Sequence, residues 1–118
     1  MRFSTLAPLA FAIAGLATPG VAGVSLSVDV DLEDATTQTL TYDCGKGDPL
    51  TVHYVNSDTQ SLALVPVDDD YRVFVNVVSG SGARYVSGQH EWWTKGDDAT
   101  LSDTLEDKTL SECAATSQ

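Results

Sequence analysis

The sequence predicts an all-β fold, a small antiparallel β-barrel of about eight strands carrying one disulfide. Three observations carry that expectation. Beyond residue 23 the apolar residues alternate at period two, and no helical i, i+3, i+4, i+7 stripe persists for more than two turns. Clusters rich in Gly, Pro, Asn, Asp and Ser recur between the alternating runs at close to the interval of a barrel or sandwich. Cys44 and Cys113 are the only cysteines, and they stand near the two ends of the alternating region. Closing so many short strands into a barrel removes exposed edges, which favours it over two stacked sheets.

The elements follow in chain order. Residues 1–23 read as an export signal: Arg2 gives a positive start, 6–16 an apolar run, and Pro19, Gly20, Val21, Ala22 and Gly23 a helix break with small residues for cleavage. Pro8, Gly15, Pro19 and Gly20 interrupt a run that would need ~20 apolar residues to cross a membrane, so cleavage near Val24 is expected instead of a span. No cysteine follows the cleavage region, so lipid attachment is not expected and the mature product is expected to be soluble, in the periplasm or secreted. Residues 24–118 then make one small domain with a modest core.

Within it, Leu26, Val28, Val30 and Leu32 alternate with Asp29, Asp31 and Glu33, a pattern compatible with a strand or, given its acidity, with a loose arm. Strands are expected around Leu40, Tyr42 and Cys44; around Leu50, Val52 and Tyr54; and around Leu62 and Leu64. The next run sets Tyr71, Val73, Val75 and Val77 on the buried face, with Phe74 and Val78 on the other. Later runs cover 83–86, 91–94, 99–101 and 109–113, separated by turn clusters at 79–82, 87–89, 96–98 and 106–108. Export to an oxidising compartment predicts a Cys44–Cys113 disulfide; two buried free thiols are the alternative.

Seventeen acidic side chains face six basic ones for a formal charge of −11, which becomes −12 once Arg2 leaves with the signal. That excludes nucleic acid and disfavours anionic membranes as partners, and it would speed capture of a cationic protein. Solubility alone would account for the charge equally well.

The informative stretch is Ser79, Gly80, Ser81, Gly82, Ala83, Arg84 and Tyr85, followed by Trp93, Thr94, Lys95 and Gly96. With Gly88 at the centre of a three-residue hairpin connection, Tyr85 faces Glu91, Ala83 faces Trp93 and Ser81 faces Lys95. Opposed residues have Cβ atoms ~5 Å apart on one face, so a hydroxyl and an ammonium would converge at the open end of the hairpin. Slim glycines beside them would allow entry into a narrow cleft. An ordinary Gly/Ser turn beside a surface lysine is the plain alternative. Of Trp92 and Trp93, one is expected in the core and the other outside.

At these residues the sequence resembles the MliC/PliC family, the membrane-bound and periplasmic bacterial inhibitors of C-type lysozyme. Ser81-Gly82-Ala83-Arg84-Tyr85 and Trp93-Thr94-Lys95-Gly96-Asp97-Asp98-Ala99 match its two motifs, and Tyr42, Cys44 and Cys113 fit its framework. The resemblance implies an eight-stranded antiparallel barrel that competitively inhibits C-type lysozyme and so evades host defence. It implies that residues 79–85 with Thr94, Lys95 and Gly96 bind lysozyme, Ser81 hydrogen-bonding the catalytic carboxylates and Lys95 acting electrostatically nearby. No cofactor, metal or catalytic residue is implied.

Rival classes fit less well. A hydrolase built on Ser81 with His53 or His90 lacks the G-x-S-x-G nucleophile elbow. Calcium binding by Asp29, Asp31, Glu33 and Asp34, or by Asp68, Asp69 and Asp70, lacks the spaced loop with its central glycine and distal glutamate. A secreted acidic β-domain with a metal-binding, structural or adhesive role remains as the alternative function. Arg84, His90 and Glu91 are expected where variation would retune the partner.

Overall fold

The computed structural model describes Gly15 and residues 23–117; the expected export signal therefore lies almost wholly outside the described residues. Eight strands close into one antiparallel barrel in sequence order: β1 (Thr36–Asp43), β2 (Leu50–Asn56), β3 (Ser61–Val67), β4 (Asp70–Val77), β5 (Ala83–Ser87), β6 (His90–Lys95), β7 (Asp98–Asp103) and β8 (Lys108–Ser117). Pairing of β8 with the end of β1, through Thr41, Tyr42 and Asp43, closes the ring. Residues 23–35 contain no strand. Leu26 is 83% exposed, and the acidic segment is the loose arm, not a strand.

The turns explain much of the acidic punctuation. Val67 pairs with Asp70 across Asp68 and Asp69, whose φ values of 51° and 64° are the both-positive pattern of a type I′ hairpin turn. Asp tolerates the left-handed region through local side-chain hydrogen bonding, so this acidic triplet is turn chemistry.

The interior is filled by Tyr42, Val52, Tyr54, Ala63, Val65, Val67, Phe74, Tyr85, Trp92, Ala99, Leu101 and Cys113. Here β4 departs from expectation. Phe74 is fully buried, whereas Tyr71, Val73 and Val75 are each at least half exposed. The same inversion holds on β3, where Ala63, Val65 and Val67 point inward and Leu62 and Leu64 are only partly buried. The register gives the reason. Ala63 sits directly opposite Phe74, a small residue making room for a ring in a narrow barrel. Leu62 opposite Val75 and Leu64 opposite Val73 form an apolar row on the outer wall. Both faces of β3 are apolar, so its alternation cannot say which one turns inward, and on β4 the inward face carries Phe74 between the exposed Arg72 and Asn76, against the alternation.

A hydrogen-bonded trio runs through the core. Trp92 Nε1 donates to Tyr54 Oη at 2.8 Å, and the Tyr54 and Tyr42 hydroxyls are hydrogen-bonded to each other at 2.7 Å. Tyr42 meets the Trp92 ring edge-on with centroids 5.1 Å apart. Burial pushes the Tyr42, Tyr54 and Tyr85 phenols above their ordinary value, so all three stay neutral partners.

The disulfide joins Cys44, just beyond β1, to Cys113 on β8. For a ring with a separation of 69 residues the loop-closure estimate gives about 4 kcal/mol. Urea unfolding of Cys44→Ser/Cys113→Ser is expected to show a loss of that order, and an unchanged midpoint would contradict it.

Asp103 ties off the barrel's turn end. Its Oδ1 accepts from the Glu106 and Leu105 amides, both at 3.0 Å, and its Oδ2 from Gln89 Nε2 at 2.6 Å. Led by the Glu106 amide and opposed by desolvation, these donors hold the carboxyl below its ordinary 3.8. A folded value below the unfolded one stabilises the protein above about pH 4, and that contribution is lost as pH falls through the folded value. Acid titration of stability is therefore expected to be shallower in Asp103→Asn than in the wild type; parallel curves would count against this assignment.

Candidate functional site

The site sits at the end of the β5–β6 hairpin away from its turn. That turn has two residues, not three: Ser87 pairs with His90, and only Gly88, at φ 57°, has positive φ. A glycine at the first central position is the type II′ arrangement. The register consequently moves by one. Arg84 faces Trp93, Tyr85 faces Trp92, and Ala83 faces Thr94, in place of the expected Tyr85–Glu91, Ala83–Trp93 and Ser81–Lys95 pairs. The physical reason is plain. Pairing Tyr85 with Glu91 would have drawn a carboxylate to the buried face, whereas the observed register sends Glu91 outward to an ion pair with Arg84.

Ser81 lies outside any strand, in the exposed connection between β4 and β5. Its carbonyl accepts two hydrogen bonds, from Ser79 Oγ at 2.6 Å and from Trp93 Nε1 at 2.9 Å. Lys95 is exposed, and its Nζ stands 4.2 Å from the centre of the Trp93 ring. Serine and lysine are thus not cross-strand partners, yet both converge on one indole. Gly82 makes the approach possible. At φ 64°, a Cβ there would fall 2.2 Å from the Thr94 carbonyl oxygen, 2.8 Å from Lys95 Cγ and 3.1 Å from Trp93 Nε1. Gly80 has open space around it, so its slimness answers no demand of the fold. Gly96, at φ 57°, serves the tight turn between Lys95 and Asp98.

The remaining expected residues divide. Arg84 borders the same depression as Ser79, Gly80 and Ser81, held there by Glu91. Thr94 and Ala83 pair within the hairpin, where Thr94 Oγ1 donates to the Ala83 carbonyl at 3.4 Å. Tyr85 is buried and tilts against Tyr54, which makes it a core residue and removes it from the surface set. His90 is likewise buried, at the far end of β6 from Lys95 and away from the site. Val78, 95% exposed at the start of the loop, borders the depression, although in the sequence it reads as the end of a strand. Among the described residues, no group of three or more His, Cys, Asp or Glu converges as a metal site would require.

Comparison with known proteins identifies the family. Residues 42–110 match the family model described as membrane-bound lysozyme-inhibitor of c-type lysozyme. The membrane-bound lysozyme inhibitor of C-type lysozyme from Pseudomonas aeruginosa is 52% identical over 66 residues, which are 55% of this chain and 52% of that protein. Its namesake from Cupriavidus necator is 39% identical over 77 residues, 65% of this chain and 62% of that protein. The chain thus spans between half and two thirds of the length of these curated relatives. Among solved structures, Pseudomonas aeruginosa MliC in complex with hen egg white lysozyme superimposes with a TM-score of 0.63 at 39% identity, covering 81% of this chain and 98% of that one. With the family model covering more than half of its length, this chain belongs to the family of membrane-bound lysozyme inhibitors of C-type lysozyme.

Proposed function

We propose that this protein competitively inhibits C-type lysozymes by inserting the 79–84 loop into the catalytic cleft, with Ser81 donating to the catalytic carboxylates and Lys95 providing charge beside them. One observation carries the reading. An exposed serine with no partner for its hydroxyl among the described residues, and an exposed lysine with no ion pair there, share the Trp93 indole at one end of one hairpin. Their chemistry fits the target. Lysozymes cleave with one carboxylic acid and one carboxylate flanking the scissile bond. A hydroxyl and an ammonium satisfy that pair and offer no glycosidic bond to cut.

The family is one of inhibitors, binding proteins and not enzymes. Neither His53 nor His90 lines the depression beside Ser81, which leaves a Ser–His hydrolase without support. The formal charge of −11 favours encounter with a cationic lysozyme. The word membrane-bound in the relatives' names supports an envelope location. We place the mature chain in the periplasm or outside the cell, with residues 1–23 as its export signal.

Titration against hen egg white lysozyme is expected to show inhibition that Ser81→Ala weakens roughly tenfold or more, since a hydrogen bond to a charged group contributes about 1.5–3 kcal/mol. Lys95→Ala is expected to weaken it less and to reduce its salt dependence, because added salt screens an exposed charge. Gly82→Ala is expected to abolish inhibition while leaving a folded barrel, through displacement of the loop from Trp93. Full inhibition by all three variants would sink the reading. N-terminal sequencing of the periplasmic protein is expected to start near Val24; a chain beginning at Met1 would refute the export signal.

A further inference from the structure

Resting on the inhibitory reading above, we propose that Trp93 is the positioning residue of the site: its indole N–H fixes the serine loop and its ring face seats the Lys95 ammonium, so one side chain presets both binding groups before lysozyme arrives.

The two hydrogen bonds to the Ser81 carbonyl are not equivalent. Ser79 belongs to the same connection as Ser81 and moves with it. Trp93 stands within β6, flanked by Arg84 of β5 and Thr100 of β7, so its 2.9 Å bond ties the loop to the barrel wall. On the other side, Lys95 Nζ at 4.2 Å from the ring centre lies well inside the ~6 Å range of cation–π attraction. Trp93 also separates two surface depressions. Ser79, Gly80, Ser81 and Arg84 border one, Lys95, Asp98 and Thr100 border the other, and Trp93 borders both. Free glycine-containing loops and lysine stems lose conformational freedom on binding, and a group that has already lost it binds more tightly. Trp93 touches both groups without having to touch the carboxylates itself.

Two substitutions separate its roles. Trp93→Phe keeps the ring face and loses the N–H, whereas Trp93→Leu loses both. Each is combined with Ser81→Ala and with Lys95→Ala, and dissociation constants for hen egg white lysozyme are measured beside thermal unfolding. Trp93→Leu is expected to weaken binding roughly tenfold, the combined scale of one hydrogen bond and one cation–π contact. The Ser81→Ala penalty is expected to shrink in both backgrounds. The Lys95→Ala penalty is expected to shrink in the leucine background and to persist in the phenylalanine one. In the free protein, hydrogen exchange of the Trp93 indole proton is expected to be slowed, with the core indole of Trp92 as the protected reference.

Unchanged penalties for Ser81→Ala and Lys95→Ala in the leucine background would overturn the proposal, as would exchange of the Trp93 indole proton at the rate of a free indole. Should Trp93→Leu fail to fold, the shrinking or persistence of the Ser81→Ala penalty in Trp93→Phe decides. Failure of the inhibitory reading looks different. In that case Ser81→Ala and Lys95→Ala leave lysozyme binding untouched in the wild-type background, while the exchange measurement on free protein still tests the anchoring.

Discussion

Trp92 inside the barrel governs what can happen outside it. Its indole is fully buried, it donates to Tyr54, and Tyr42 meets it edge-on. Moving it outward would take the indole donor away from Tyr54 and break the edge-on contact with Tyr42 in the closed interior. Because successive strand residues point to opposite faces, the fixed inward Trp92 forces Trp93 outward. Lys95, two positions further, then falls on the same outer face and reaches back over the ring. A core requirement thereby sets the geometry of a surface site.

Backbone constraints complete the arrangement from the other strand. Gly82 adopts a left-handed conformation and comes so close to Thr94, Lys95 and Trp93 that any side chain would displace it. That contact brings the Ser81 carbonyl within reach of the indole. The loop is held by its backbone, and the serine hydroxyl is left uncommitted. Under the proposed function this arrangement suits a cleft-blocking loop, since its backbone is tied to β6 while the Ser81 hydroxyl has no partner among the described residues.

The electrostatics act at two ranges. Over the whole molecule, excess carboxylates create a field that attracts cationic proteins. At the loop, the local balance changes, since Arg84 and Lys95 flank Ser81 and, among the described residues, only Arg84 has an ion pair, with Glu91. On the proposed function, long-range attraction to a basic enzyme and short-range complementarity to its acidic centre would reside in different parts of the chain and need not compromise one another.

Period-two alternation, turn clusters at regular intervals and two cysteines near the ends of the alternating region were sufficient for an all-β barrel with a disulfide, because these are local or compositional consequences of building a sheet. The two motifs likewise announced the family and put Ser81 and Lys95 near each other. Three matters depended on contacts distant in the chain. The inward face of β3 and β4 was decided by Ala63 making space for Phe74, although the outer face of β4, with Tyr71, Val73, Val75 and Val77, is the more apolar one. The hairpin register was decided by burial of Tyr85 with Trp92 and expulsion of Glu91, which a one-residue difference in turn length reverses. The meeting of Ser81 and Lys95 on a shared indole, instead of directly across a ladder, was decided by the close approach of Gly82 to β6. Sequence alone determined which residues alternate and which turns are allowed, since those follow from backbone sterics; only the closed barrel decided which side was inside, since that choice is made by volume.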